Sequence, residues 1–97
     1  MLHTSDLMQR LEQYKPIAIE RYGVTALGLF GSAARGEQKE DSDVDICYSG
    51  SVPTLLTLDR MQHELEQLLG SPVDLVRIRP GMNALLGERI RKEAIYV

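Results

Sequence analysis

Cysteine occurs once in the 97 residues, at Cys47, so no internal disulfide can form and a reducing compartment is the expected setting. No apolar run approaches the roughly 18 residues that a bilayer-spanning helix needs. The opening Met1-Leu2-His3-Thr4-Ser5-Asp6 lacks the basic and apolar regions of a secretion signal. A soluble, cytoplasmic protein without membrane contact is therefore expected. Basic residues are also in deficit. The net charge is −3 and the pI near 5.3, which argues against direct binding to a nucleic-acid backbone. Positive charge clusters only in Arg89-Ile90-Arg91-Lys92, where Glu88 and Glu93 flank it, and this reads as a solvated helix face. The two histidines, His3 and His63, have no metal-ligand spacing. No Ser-His-Asp or Cys-His arrangement and no Walker-type phosphate loop is present.

What remains is an ordinary globular composition, 43% hydrophobic and 26% charged, in a length that suits one domain spanning residues 1–97. Thr4 or Ser5 can cap a first helix whose apolar residues Leu7, Leu11, Tyr14 and Ala18 recur at helical spacing. Pro16 is expected to kink or split that helix, and Gly23 to end it. Val24 to Phe30 reads as a strand, Ser32 to Arg35 as a short helix opening closed by Gly36, and Glu37 to Asp41 as an exposed loop. Val44, Ile46 and Tyr48 alternate with Asp43, Asp45 and Cys47, the period of a strand with two unlike faces. Pro53 and Thr54 open a long helix with Leu58, Met61, Leu65 and Leu68 as its buried stripe, stopped by Gly70 and Pro72. Val73 to Ile78 is a third strand. Asn83 caps a last helix running to about Ala94, and Ile95-Tyr96-Val97 either pairs as an edge strand or contacts a partner. The order α-β-α-β-α-β-α predicts an α/β (α+β) domain, a small mixed sheet flanked by helices.

Two segments carry the chemistry. Gly31-Ser32 is followed, after ten residues, by Asp43-Val44-Asp45. Those four fixed positions arise by chance in roughly one chain in a thousand of this length. Residues i and i+2 of a strand point the same way, so Asp43 and Asp45 project side by side. Two adjacent carboxylates repel, and a hard divalent cation such as Mg2+ removes the repulsion. Gly31 lets the backbone approach a ligand and Ser32 adds a hydroxyl, at a strand-to-helix turn that favours phosphate. Arg35 either contacts phosphate or braces the turn through Glu37 or Asp41. Asp74 stands in the otherwise apolar Val73-Asp74-Leu75-Val76, where burying an isolated acid is costly. Beside the other pair it reads as a third metal ligand or as the base for an attacking hydroxyl. Three acids, two metal ions and a cradled triphosphate suit in-line displacement at an α-phosphorus. Cys47 lies on the acids' side of its strand but reads as a packing residue.

Gly31-Ser32, Asp43-x-Asp45 and Asp74 resemble the DNA polymerase β-like nucleotidyltransferase superfamily. The longer Leu29-Phe30-Gly31-Ser32-x-Ala34-Arg35-Gly36 with Ser42-Asp43-x-Asp45-Ile46 resembles its minimal nucleotidyltransferase (MNT) antitoxins. The resemblance implies a nucleotidyltransferase fold and AMP transfer from ATP with magnesium. It also implies a HEPN-domain ribonuclease toxin as partner, silenced by adenylylation of a tyrosine near its active site, in a hetero-oligomer. By position, Gly31 and Ser32 would bind the triphosphate, Asp43 and Asp45 the metal, and Asp74 would complete the triad. Larger relatives carry a further domain for the acceptor, which 97 residues leave no room for, so a partner is expected to supply that surface. Two other readings compete: an antitoxin that neutralises by covering its toxin without catalysis, and a small-molecule nucleotidyltransferase of the aminoglycoside-modifying type.

Overall fold

The computed structural model describes residues 3–39 and 42–97. The first helix, α1 (Thr4–Tyr22), buries Leu7, Leu11, Tyr14 and Ala18 along one stripe. Its boundary lies one residue earlier than the capping expectation: His3 is the flanking residue, and its backbone N–H donates to Asp6 Oδ2 at 3.2 Å. The Thr4 hydroxyl donates instead to the Ala33 carbonyl at 2.5 Å, tying the start of α1 to the segment after the first strand. Pro16 does not split the helix, which runs unbroken through it. Both Pro16 and Glu12, whose carbonyl loses its helical partner, are exposed, so water can satisfy the orphaned group. Gly23, left-handed at φ 67°, ends α1 as expected.

Strand β1 (Val24–Phe30) leads directly into the short helix α2 (Gly31–Ala34). Strand β2 (Val44–Gly50), helix α3 (Leu55–Leu69), strand β3 (Val73–Arg77), helix α4 (Ala84–Glu93) and strand β4 (Ile95–Tyr96) complete the order. Thr54 Oγ1 accepts from the Thr57 N–H, and Asn83 Oδ1 from Leu85 and Leu86, so α3 and α4 begin where their caps predict. Along α3 the fully buried residues are Met61, Leu65 and Leu69. Leu68, expected in that stripe, is only half-buried, because the four-residue step from Leu65 reaches Leu69. Residues 40 and 41 of the expected exposed loop lie outside the described residues. Among those described, no helix is long and apolar enough to cross a membrane.

The strands form one mixed sheet in the order β3-β2-β1-β4. β2 is parallel to β3 and antiparallel to β1, and β4 runs antiparallel to β1. One sheet face, with Leu27, Leu29, Val44, Ile46 and Tyr48, packs against α1 and α3 in the main core. The other carries a smaller cluster of Phe30 and Cys47 with Ile90 of α4. Ile95-Tyr96 therefore takes the edge-strand alternative, and the Val97 N–H donates to the Leu27 carbonyl at 2.9 Å.

Gly28 is what allows β4 to dock. A Cβ there would stand 2.9 Å from the Tyr96 ring and 3.0 Å from the Ile95 carbonyl oxygen, closer than packed atoms tolerate. Gly28→Ala should therefore displace β4 while sparing the β1–β2 ladder, at a cost of about 1–3 kcal/mol. Native-state hydrogen exchange checks this: the Val97 amide should exchange faster, and the amides of the β1–β2 ladder should stay protected relative to it.

Candidate active site

The site assembles at one end of the sheet, where β1 turns into α2 and where β2 and β3 begin. Gly31 is buried and takes φ 72°, a left-handed value that side chains disfavour. The same position is closed to a Cβ by space, because that atom would run into the Asp45 carboxylate. Glycine is thus required twice over: it turns the chain and lets the turn lie against an acid. The Arg35 N–H returns to the Gly31 carbonyl at 3.2 Å and the Glu37 N–H to the Ser32 carbonyl at 2.8 Å, closing α2 after one turn. Ser32 is half-buried beside Gly31.

Across the sheet from this turn stand the carboxylates. Asp45 pairs in register with Phe30 of β1 on one side and with Asp74 of β3 on the other. Register partners in adjacent parallel strands share a face about 4.8 Å apart. The Val44 N–H donates to the Pro72 carbonyl at 2.8 Å, which holds the starts of β2 and β3 together. Asp43 is exposed and lies just ahead of β2, two residues from Asp45 and so on the same side. The three acids singled out in the sequence are therefore brought to one corner, with Asp45 in the middle.

Their mutual repulsion registers in Asp45. Burial, and next the charge of Asp74, hold its carboxyl above the usual aspartate range; Asp43 and Glu93 push the same way, and Arg89 opposes them. Among the described residues, no three His, Cys, Asp or Glu side chains converge into a ready-made metal cage. Magnesium does not need one, since one or two carboxylates with waters and substrate phosphates commonly hold it. An all-carboxylate donor set on one face, with a proton affinity raised by crowding, fits a hard divalent cation.

Arg35 is engaged on both sides. Its Nε lies 3.2 Å from Glu37 Oε2 and a terminal nitrogen 2.8 Å from Glu93 Oε1, so it braces α2 against α4. The Glu37 partner was legible in the sequence; Glu93, 58 positions away, was not. The alternative partner Asp41 lies outside the described residues. Cys47 is fully buried against Phe30 and Ile90, and burial pushes its thiol up to about 11, as befits a packing residue.

One residue near the corner was not singled out. Arg89 is exposed, as the reading of a solvated helix face expects, and its guanidinium carbon also sits 5.7 Å from the centre of the Phe30 ring. The solvated reading holds for Arg91 and Lys92, which pair with Glu88. A helical wheel marked with Ile90 as the buried position narrows the possibilities for Arg89, but only packing shows which neighbour it meets. A cavity of about 540 Å³ lies between α1 and α3, lined by Tyr14, Ile17, His63 and Glu64 among others. It is on the opposite side of the sheet from the carboxylates.

Comparison with known proteins bears on this corner. The family model described as nucleotidyltransferase domain matches residues 11–97. The chain is similar to the protein adenylyltransferase MntA of Thermococcus cleftensis, 39% identical over 98 residues that span 100% of this chain and 98% of the relative. A solved structure of a provisionally identified minimal nucleotidyltransferase superimposes with a TM-score of 0.80 at 37% identity, covering 97% of this chain and 95% of that one. A structure of tri-AMPylated Shewanella oneidensis HEPN toxin in complex with MNT antitoxin matches with a TM-score of 0.67 at 18% identity, covering 94% of this chain and 70% of that one, a likeness of fold.

The crowding of Asp45 makes a sign-definite prediction. Its folded-state pKa lies above the unfolded value, so the folded chain holds more protons and loses stability as pH rises from about 4 through the raised value. Asp45→Asn removes that loss. The metal-free variant should match wild type in acid and melt higher at neutral pH, the difference levelling off above the raised pKa. Magnesium should then stabilise wild type more than the variant, and melting curves across pH with and without the ion check both statements.

Proposed function

This chain belongs to the nucleotidyltransferase domain family, in its minimal branch, and on that premise we propose that it transfers AMP from magnesium-bound ATP to a tyrosine hydroxyl of a HEPN-domain toxin, silencing it as the antitoxin of the pair. The observation that carries this reading is the sequence of groups across three adjacent strands. The Gly31-Ser32 turn follows β1, Asp45 lies on β2, and Asp74 lies on the edge strand β3. Donor phosphates would lie against the turn and the acceptor would arrive from the β3 side. The protein adenylyltransferase name of the Thermococcus relative and the AMPylated HEPN toxin in the Shewanella complex support the choice of acceptor. A single buried cysteine, with no helix able to span a bilayer among the described residues, is consistent with a cytoplasmic setting.

In this reading the acceptor oxygen attacks the α-phosphorus. The new O–P bond forms as the bond to the bridging oxygen breaks, and that electron pair leaves on pyrophosphate. Gly31 and Ser32 hold the triphosphate, and Asp43, Asp45 and Asp74 would hold two magnesium ions. The chemistry that magnesium supplies in such a site is neutralisation of the carboxylates and of charge developing on the leaving group. Asp74, outermost in the sheet and exposed, also takes the hydroxyl proton and passes it to solvent. Arg35 keeps α2 and its turn fixed to α4.

The test is incubation with ATP labelled at the α-phosphate, magnesium and a HEPN-type partner. Label should appear on the partner, and Asp43→Asn or Asp45→Asn should slow its transfer by roughly 100- to 1000-fold while the fold survives. A tight complex without label would replace catalysis by steric neutralisation. Label on an aminoglycoside with no protein acceptor would move the chain to the small-molecule enzymes.

A further inference from the structure

Resting on the nucleotidyltransferase reading, we propose that Arg89 contacts the β- and γ-phosphates of the donor nucleotide and so serves as a substrate-binding residue contributed by α4. Its position is set by one contact, with the ring of Phe30. The guanidinium lies over the ring of Phe30, 5.7 Å from its centre. Phe30 is fully buried, is the residue directly before Gly31, and is the register partner of Asp45. Arg89 therefore stands at the point where the glycine turn and the central carboxylate meet, on the β1 side of Asp45 and away from Asp74. That is the donor side of the corner.

Arg89 is exposed, and although its charge acts on the Asp45 carboxyl, the charged neighbours on its own helix are paired elsewhere. Glu93, one helical turn further along α4, is engaged by Arg35 at 2.8 Å. Arg91 and Lys92 are engaged by Glu88. Among the described residues Arg89 takes part in no ion pair, although three aspartates gather at the corner beside it. Even with two divalent cations bound, three carboxylates and a triphosphate remain net negative, so a further cation on the donor side is favourable. A guanidinium presents a planar fork of donors that matches phosphate oxygens, and that of Arg89 lies over the Phe30 ring beside the glycine turn.

Titrating the purified full chain, with magnesium present, with ATP and with AMP, which lacks the β- and γ-phosphates, tests this contact. Arg89→Gln should weaken ATP binding by roughly 10- to 100-fold, the range for a lost charge-assisted hydrogen bond, and change AMP binding by less than about twofold. Arg89→Lys, which keeps the charge and loses the fork, should fall between the two. Unchanged ATP affinity in Arg89→Gln, or an equal loss for ATP and AMP, would overturn the assignment. If Arg89→Gln fails to fold, Arg89→Lys decides alone: equal ATP affinity to wild type sinks the proposal. A wild-type chain that binds no magnesium-ATP would instead bring down the nucleotidyltransferase reading itself.

Discussion

Strand β2 is bonded along both edges, and its side chains alternate between two environments that cannot be exchanged. Val44, Ile46 and Tyr48 enter the core beneath α1 and α3, while Asp45 and Cys47 turn to the side of α4. A slip of one residue would put a carboxylate in the main core and leucine-sized groups beside the acids, so burial holds the register. Because that register is shared with β1 and β3, it also dictates that Asp45 faces Phe30 on one side and Asp74 on the other. The main core and the carboxylate corner are two consequences of one alternation.

The corner is held against its own electrostatics. Asp43 and Asp74, both exposed, flank the half-buried Asp45, whose carboxyl holds its proton more tightly through burial and through their charge. The apolar core carries that cost, since Val44 and Ile46 are fully buried on either side of Asp45 in sequence. Around the acids, the remaining charges are sorted: Arg35 takes Glu37 and Glu93, and Glu88 takes Arg91 and Lys92. Arg89 is left exposed over the Phe30 ring. The arrangement concentrates negative charge that a bound cation would relieve.

The sheet order gives the corner a direction. β1, with the glycine turn after it, is flanked by β4 and lies inside the sheet, whereas β3 is an edge. The glycine turn, with Gly31 buried and Ser32 half-buried, lies on the β1 side, and Asp74 is exposed at the rim. Under the proposed reaction the donor would lie on the inner β1 side and the acceptor would reach the exposed β3 edge.

Much of this was legible from residue order because it depends on local geometry. Gly23 and Gly70 end helices at left-handed positions, Thr54 and Asn83 begin them, and Asp43 and Asp45 share a side through the two-residue period alone. Gly31-Ser32 before Asp43-x-Asp45 pointed to phosphate and metal for the same reason. Tertiary structure decided the rest. The parallel register set Asp74 beside Asp45, solvent around Glu12 and Pro16 let α1 continue where a break was expected, and packing of α4 gave Arg35 its distant partner Glu93 and turned Arg89 toward Phe30. A chain encodes the direction of neighbouring side chains through its own dihedral angles. Which helix face meets which strand is settled only when distant apolar surfaces are buried together, and the charges beside them follow.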